Sequence, residues 1–186
     1  MCKCIRYVRA TPTRGVVLKP TGKWDGMDKN LMFKIHGRSD SNYATDPDSR
    51  RNITGTVVYL NDAPIAFSSV TQKHVTLSVT EAELAAVVTM VQDMMYVYRV
   101  IKSMGLQAEL PMIAEMDNSG AQDLANSWSV GGRTRHVDVW MFFLRELKEE
   151  GMVVFKYVSG PENKGHLHKE CQCWLIAQAL CEAMWQ

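Results

Sequence analysis

The chain has 186 residues, 46% of them apolar and 22% charged, which excludes a disordered polypeptide and suits one domain with a sizeable core. A formal net charge of +1 excludes a global basic field, so any binding of nucleic acid relies on local basic patches. No apolar run is read as long enough to span a bilayer, and the start, MCKCIRYVRA, lacks the apolar centre of a secretion signal; the expectation is an intracellular protein, cytoplasmic or nuclear, with reduced cysteines and no membrane partner.

Residues 4–20, CIRYVRATPTRGVVLKP, read as a short amphipathic piece, a turn and a short strand, and residues 21–30 as a polar linker containing glycine. LMFKIHG alternates, with Leu31, Phe33 and Ile35 on one face and Lys34 and His36 on the other; this predicts a first strand that ends at Asp40. TGTVVYL (54–60) and PIAFSSV (64–70) are the next two strands, and NDA between them predicts a hairpin. Leu84, Val87, Val88, Val91, Met94, Met95, Tyr98 and Ile101 recur at three- and four-residue spacing, which predicts a helix over 79–104, stopped by Gly105. PMIAEMD (111–117) is a fourth strand and NSGAQDLANSW a short helix. RTRHVDVWMFFLRELKEEG (133–151) is a helix ending at Gly151, MVVFKYV (152–158) a fifth strand, and the chain from Pro161 reads as helical. A hairpin meander followed by strands separated by helices implies a mixed sheet covered by helices.

Four carboxylates fall where elements begin or end. Asp40 closes the first strand, Glu81 and Glu83 lie in the first turns of the long helix, and Asp117 closes the fourth strand. If strands one and four are parallel neighbours, Asp40 and Asp117 sit side by side, because strand ends are where sites collect in such sheets. A helix packed on the sheet can bring a glutamate to the same place. Carboxylates crowded in this way stay ionised only beside a compensating cation, and oxygen donors suit Mg²⁺ or Mn²⁺. Two such ions support hydrolysis of a phosphodiester. Each residue also has a structural reading: a turn for Asp40, a helix cap for Asp117, and capping boxes of Ser78 with Glu81 or Thr80 with Glu83. At about 100° per residue, both glutamates lie beside the apolar stripe, so helical phase leaves the choice between them open.

Several ordered motifs resemble the ribonuclease H domain of copia-type retrotransposon polyproteins: IRYVRATPTRGVVL, GRSDSNYATDPDSRRNITGTVVYL, PIAFSSVTQKHVTLSVTEAELAA, EMDNSGAQDLAN, GGRTRHVDVWMFFLRELKEEG and FKYVSGPEN. The resemblance runs from about residue 4 to residue 163. It implies an α/β, ribonuclease H-like fold with a five-stranded mixed sheet flanked by helices on both sides. It also implies cleavage of the RNA strand of an RNA–DNA hybrid with two divalent ions and no organic cofactor. Residues 1–24 resemble the end of a preceding reverse transcriptase, 25–170 the ribonuclease H-like domain, and 171–186 form a divergent tail. Matched onto the family's motifs, Asp40, Glu83 and Asp117 are the catalytic and metal-binding carboxylates, and Glu81 is a helix-start residue. The family's fourth carboxylate departs: Asn163 matches, but His166 stands where an aspartate is expected, with Glu162 and Glu170 nearby as substitutes. A neutral imidazole suits Mg²⁺ poorly, so weak or absent activity with Mg²⁺ and partial rescue by Mn²⁺ are expected.

Arg133 and Arg135 begin a helix whose free amides suit a phosphate; with Asn118 they are the candidate nucleic-acid contacts, against the plainer reading of a solvated helix start. Cys2 and Cys4, with Cys171, Cys173, His166 and His168, invite a zinc module, but C-x-C is not the spacing of a structural site, and free thiols are the plainer reading. Trp140, Phe142 and Phe143 read as core rather than a base-stacking platform. Two functions therefore stand against each other: a metal-dependent nuclease, and a folded remnant that binds nucleic acid without cutting.

Overall fold

Alternating strands and one long amphipathic helix assemble around a central strand. The computed structural model describes residue 26 and residues 31–42, 51–73, 75–76, 78–126 and 135–158. The strands are β1 (Met32–Phe33), β2 (Ile35–Asn42), β3 (Ile53–Leu60), β4 (Ala63–Thr71), β5 (Gln107–Ala108), β6 (Met112–Met116) and β7 (Val153–Tyr157); the helices are α1 (Val79–Ser103), α2 (Ser119–Asn126) and α3 (Arg135–Glu149). Five strands form one sheet in the order β4-β3-β2-β6-β7, and β1 pairs with β5 apart from it. β3 runs antiparallel to β2 and β4, whereas β6 runs parallel to β2 and β7. This is the mixed sheet that the element order implies.

Local chemistry explains the turns. Asn61 and Asp62 carry the β3–β4 hairpin with φ of 48° and 64°. Asn and Asp tolerate this left-handed region, and such a two-residue turn matches the twist of the strands it joins. Asn61 also exchanges hydrogen bonds of 2.9 Å with the backbone of Lys34, through its side-chain oxygen and its own N–H, tying the hairpin to the start of β2. Further along, the pairing shifts from Val58↔Ala66 to Tyr59↔Pro64, so Ile65 bulges. α1 and α3 end alike: Gly105 (φ 74°) and Gly151 (φ 68°) take the left-handed position, and the next residue's N–H reaches back to Ile101 and Leu147 at 3.2 and 2.9 Å.

One core lies on one face of the sheet. α1 contributes Leu84, Val87, Met90, Val91, Met94, Val97 and Ile101, β2 contributes Ile35, and β6 and β7 contribute Met112, Met116, Val153 and Phe155. α3 joins the same core through Val137, Met141, Leu144 and Leu147. Gly37 marks the closest approach of helix to sheet: a Cβ there would meet Met94 Sδ at 2.7 Å and Met90 Cγ at 2.8 Å. The opposite face holds a smaller group around Val57, with Tyr59 and Phe67, and Tyr59 stacks on His36 at 4.6 Å.

Several expectations need correction. The first strand breaks at Lys34 into β1 and β2 and runs on to Asn42, so Asp40 lies within β2 rather than at its end. The β1–β5 pairing has no counterpart in the sequence reading. Phe142 is 56% exposed, whereas Trp140 and Phe143 do pack against the core. α1 is, by length and composition, long and apolar enough to cross a membrane, contrary to the expectation that no run reaches that length; half of its most apolar stretch is buried inside the fold. The three helices among the described residues join one core. The amphipathic piece at 4–20, the helical reading from Pro161, the 1–24 segment and the 171–186 tail lie outside the described residues.

The Gly37 contact predicts that Gly37→Val lowers stability by about 1–3 kcal/mol through overpacking. Urea unfolding should show a lower midpoint at an unchanged slope.

Candidate metal centre

Parallel pairing brings the two aspartates level. β2 and β6 pair as His36↔Ile113, Gly37↔Ala114 and Arg38↔Glu115. Side chains alternate along a strand, so two residues further on Asp40 and Asp117 share one face at matching height. The first turns of α1 bring in the third carboxylate. One oxygen from each of Asp40, Glu83 and Asp117 lies within 4.8 Å of the others. Among the described residues this is the one group of three potential metal ligands so placed.

Capping decides between the glutamates. Ser78 is the N-cap of α1, in extended conformation, and its side chain accepts the Glu81 N–H at 3.1 Å. Glu81 therefore sits at the third helical position, where a capping box places its acid. Glu83, two residues on, is 4% exposed and faces Asp40 and Asp117. The Thr80–Glu83 capping reading is not the one adopted. Nor does Asp117 cap α2: the neighbouring Asn118 does, its Oδ1 accepting the Ala121 N–H at 3.0 Å.

The electrostatics are those of like charges held together. Glu83 Oε1 accepts the Ser41 backbone N–H at 3.2 Å, while Oε2 is buried with no hydrogen-bond partner. Burial first, then the charges of Asp117 and Asp40, push the Glu83 carboxyl up to about 8 against the opposing pull of Ser41. Asp117 is also raised, by burial and then by Asp40. A divalent cation among the three would reverse this repulsion and give the orphaned Oε2 a partner. Three hard oxygen donors of this kind fit Mg²⁺ or Mn²⁺.

Of the remaining candidates, Arg135 opens α3 and Arg133 and His166 lie outside the described residues, as do the terminal cysteines and His168. Two features beside the cluster escape the sequence reading. One is the Ser41 amide that holds Glu83. The other is an ion pair between Arg38 and Glu115, each two residues before a cluster aspartate. The repeated spacing of opposite charges before Asp40 and Asp117 is the signal that would have found it.

Comparison with known proteins places this geometry. No family model matches the chain. It is 29% identical over 157 residues to the retrovirus-related Pol polyprotein from transposon RE1 of Arabidopsis thaliana, a match covering 84% of this chain and 10% of the relative. It is 30% identical over 129 residues to that from transposon TNT 1-94 of Nicotiana tabacum, covering 69% of this chain and 10% of the relative. The chain thus spans about a tenth of the length of these curated relatives. In structure it is similar to LC11-RNase H1, isolated from compost by a metagenomic approach, with a TM-score of 0.52 at 16% identity over 70% of this chain and 88% of that one. The same protein in complex with an RNA/DNA hybrid gives a TM-score of 0.50 at 15% identity, over 70% and 88% of the two chains. The chain has a ribonuclease H-like α/β fold, and its homologues are retrovirus-related Pol polyproteins.

The raised Glu83 carboxyl predicts a pH-dependent stability of the metal-free protein. The folded state keeps this proton up to about 8, whereas the unfolded chain releases it near the ordinary value of 4.5. Its stabilising contribution is therefore complete below that ordinary value, declines as pH rises and is gone above the folded value, a loss on the order of a few kcal/mol. Urea unfolding in EDTA across this range should show the decline in wild type and a shallower one in Glu83→Gln. Identical slopes would count against a buried, protonated Glu83.

Proposed function

We propose that the chain is the ribonuclease H domain of a copia-type retrotransposon polyprotein and hydrolyses the RNA strand of RNA–DNA hybrids with divalent metal. The observation that carries this reading is the convergence of Asp40, Glu83 and Asp117, with oxygens within 4.8 Å, on a ribonuclease H-like fold. Asp40, Glu83 and Asp117 would hold the metal. Two bound divalent ions would supply activation of the attacking water and stabilisation of charge on the phosphodiester. The residues do the rest by position. β2 and β6 fix the two aspartates level, the Ser41 amide orients Glu83, and burial keeps the glutamate out of bulk water.

The RNA/DNA hybrid bound by LC11-RNase H1 supports a hybrid as the partner. Asn118, Arg133 and Arg135 are the proposed contacts to its backbone. We assign the 25–170 segment to the domain and the protein to an intracellular setting, where such hybrids form. His166, in place of the family's fourth carboxylate, favours a second reading: a folded remnant that binds hybrid without cutting.

Cleavage of a labelled RNA–DNA hybrid separates the two. Wild type should cut weakly with Mg²⁺ and better with Mn²⁺, and Asp40→Asn should abolish both. His166→Asp should raise the Mg²⁺ rate. Hybrid binding without cleavage in wild type and in His166→Asp would favour the remnant.

A further inference from the structure

Arg38 and Glu115 face each other across the β2–β6 pairing and form an ion pair, with side chains 26% and 19% exposed. Each stands two residues before a cluster aspartate and on the same face, one step of about 7 Å along the strand. An arginine here has two acidic neighbours along this face. One is Glu115; the other is the Asp40–Asp117 pair, which carries more negative charge and suits a planar guanidinium equally well. Glu115 wins. The ion pair forms with Glu115, directly across the strand pairing.

We propose that the Arg38–Glu115 pair sets the affinity of the Asp40–Glu83–Asp117 cluster for divalent cations. Glu115 keeps the guanidinium out of the cluster, and Arg38 keeps a further carboxylate out of coordination. The proposal rests on the reading of the cluster as a metal site. It gives opposite signs for the two halves of the pair. Arg38→Gln removes a positive charge and frees Glu115 as an additional oxygen donor, so metal binds more tightly. Glu115→Gln releases the guanidinium toward Asp40 and Asp117, so metal binds more weakly. The double variant loses both charges and returns toward wild type. At this separation a unit charge acting on a divalent ion should change affinity at least roughly tenfold.

The test is calorimetric titration of Mn²⁺ into the full chain for wild type, Arg38→Gln, Glu115→Gln, the double variant and Asp40→Asn, with circular dichroism to establish folding. Tighter binding by Arg38→Gln and weaker binding by Glu115→Gln, each by tenfold or more, support the proposal. If Glu115→Gln fails to fold, tighter binding by Arg38→Gln and its reversal in the double variant carry the same test. Equal affinities in the pair variants, with binding lost in Asp40→Asn, would overturn the proposal and leave the metal site standing. Absence of Mn²⁺ binding in wild type and in Arg38→Gln would overturn both.

Discussion

The parallel pairing of β2 with β6 is the constraint from which the rest of the site follows. It joins two segments 77 residues apart, and its register sets Arg38 opposite Glu115. Every side chain on that face is then committed: a shift of one residue would turn either aspartate to the opposite face. The hairpin, the bulge and the long helix serve this register. β3 holds the other side of β2 over its full length, from Ile35↔Leu60 to Asn42↔Ile53, so the central strand has no freedom to slide.

Against that frame α1 supplies the stability that the site removes. Its buried face is apolar from Leu84 to Ile101, whereas its beginning delivers a glutamate into a buried place beside two other acids. Burying a charge among like charges is unfavourable without a counter-ion. Sites of this kind persist because the surrounding packing outweighs them. Proton and cation therefore compete for one position: Glu83 keeps its proton or exchanges it for metal. The nearby Arg38–Glu115 pair adds charge to the same local balance without adding net charge.

The strands and α1 are legible in the sequence because their signal is local. Alternation in LMFKIHG and the three- and four-residue spacing in α1 each need only a short window, and the glycines that end α1 and α3 stand beside the last residues of those helices. The meeting of Asp40 and Asp117 is legible too, once the two strands are taken as neighbours, although Asp40 lies within its strand and not at the end. What was not legible depends on contacts between distant segments. Helical phase could not choose between Glu81 and Glu83; the Ser78 cap and a Ser41 amide 42 residues away make that choice. The β1–β5 pair and the Arg38–Glu115 pair likewise require the assembled register. α1 departs in the other direction: it meets the membrane criterion by length and composition where the sequence reading finds no such run, and half of its most apolar stretch is buried inside the fold.

The contact at Gly37 ties the carboxylates to the redox chemistry of sulfur. Met90 and Met94, both fully buried, fill the space that any side chain at Gly37 would need. Met90 lies seven residues after Glu83, two helical turns along nearly the same face of α1. A sulfoxide oxygen on either thioether is polar and larger, and there is no room for it against β2. Such an oxygen would act as a wedge, and the end of α1 that carries Glu83 would move with it. The same tight packing shields both sulfurs from oxidants while the helix is seated. Damage of this kind would therefore be acquired when α1 lifts from the sheet, and would then hinder its return.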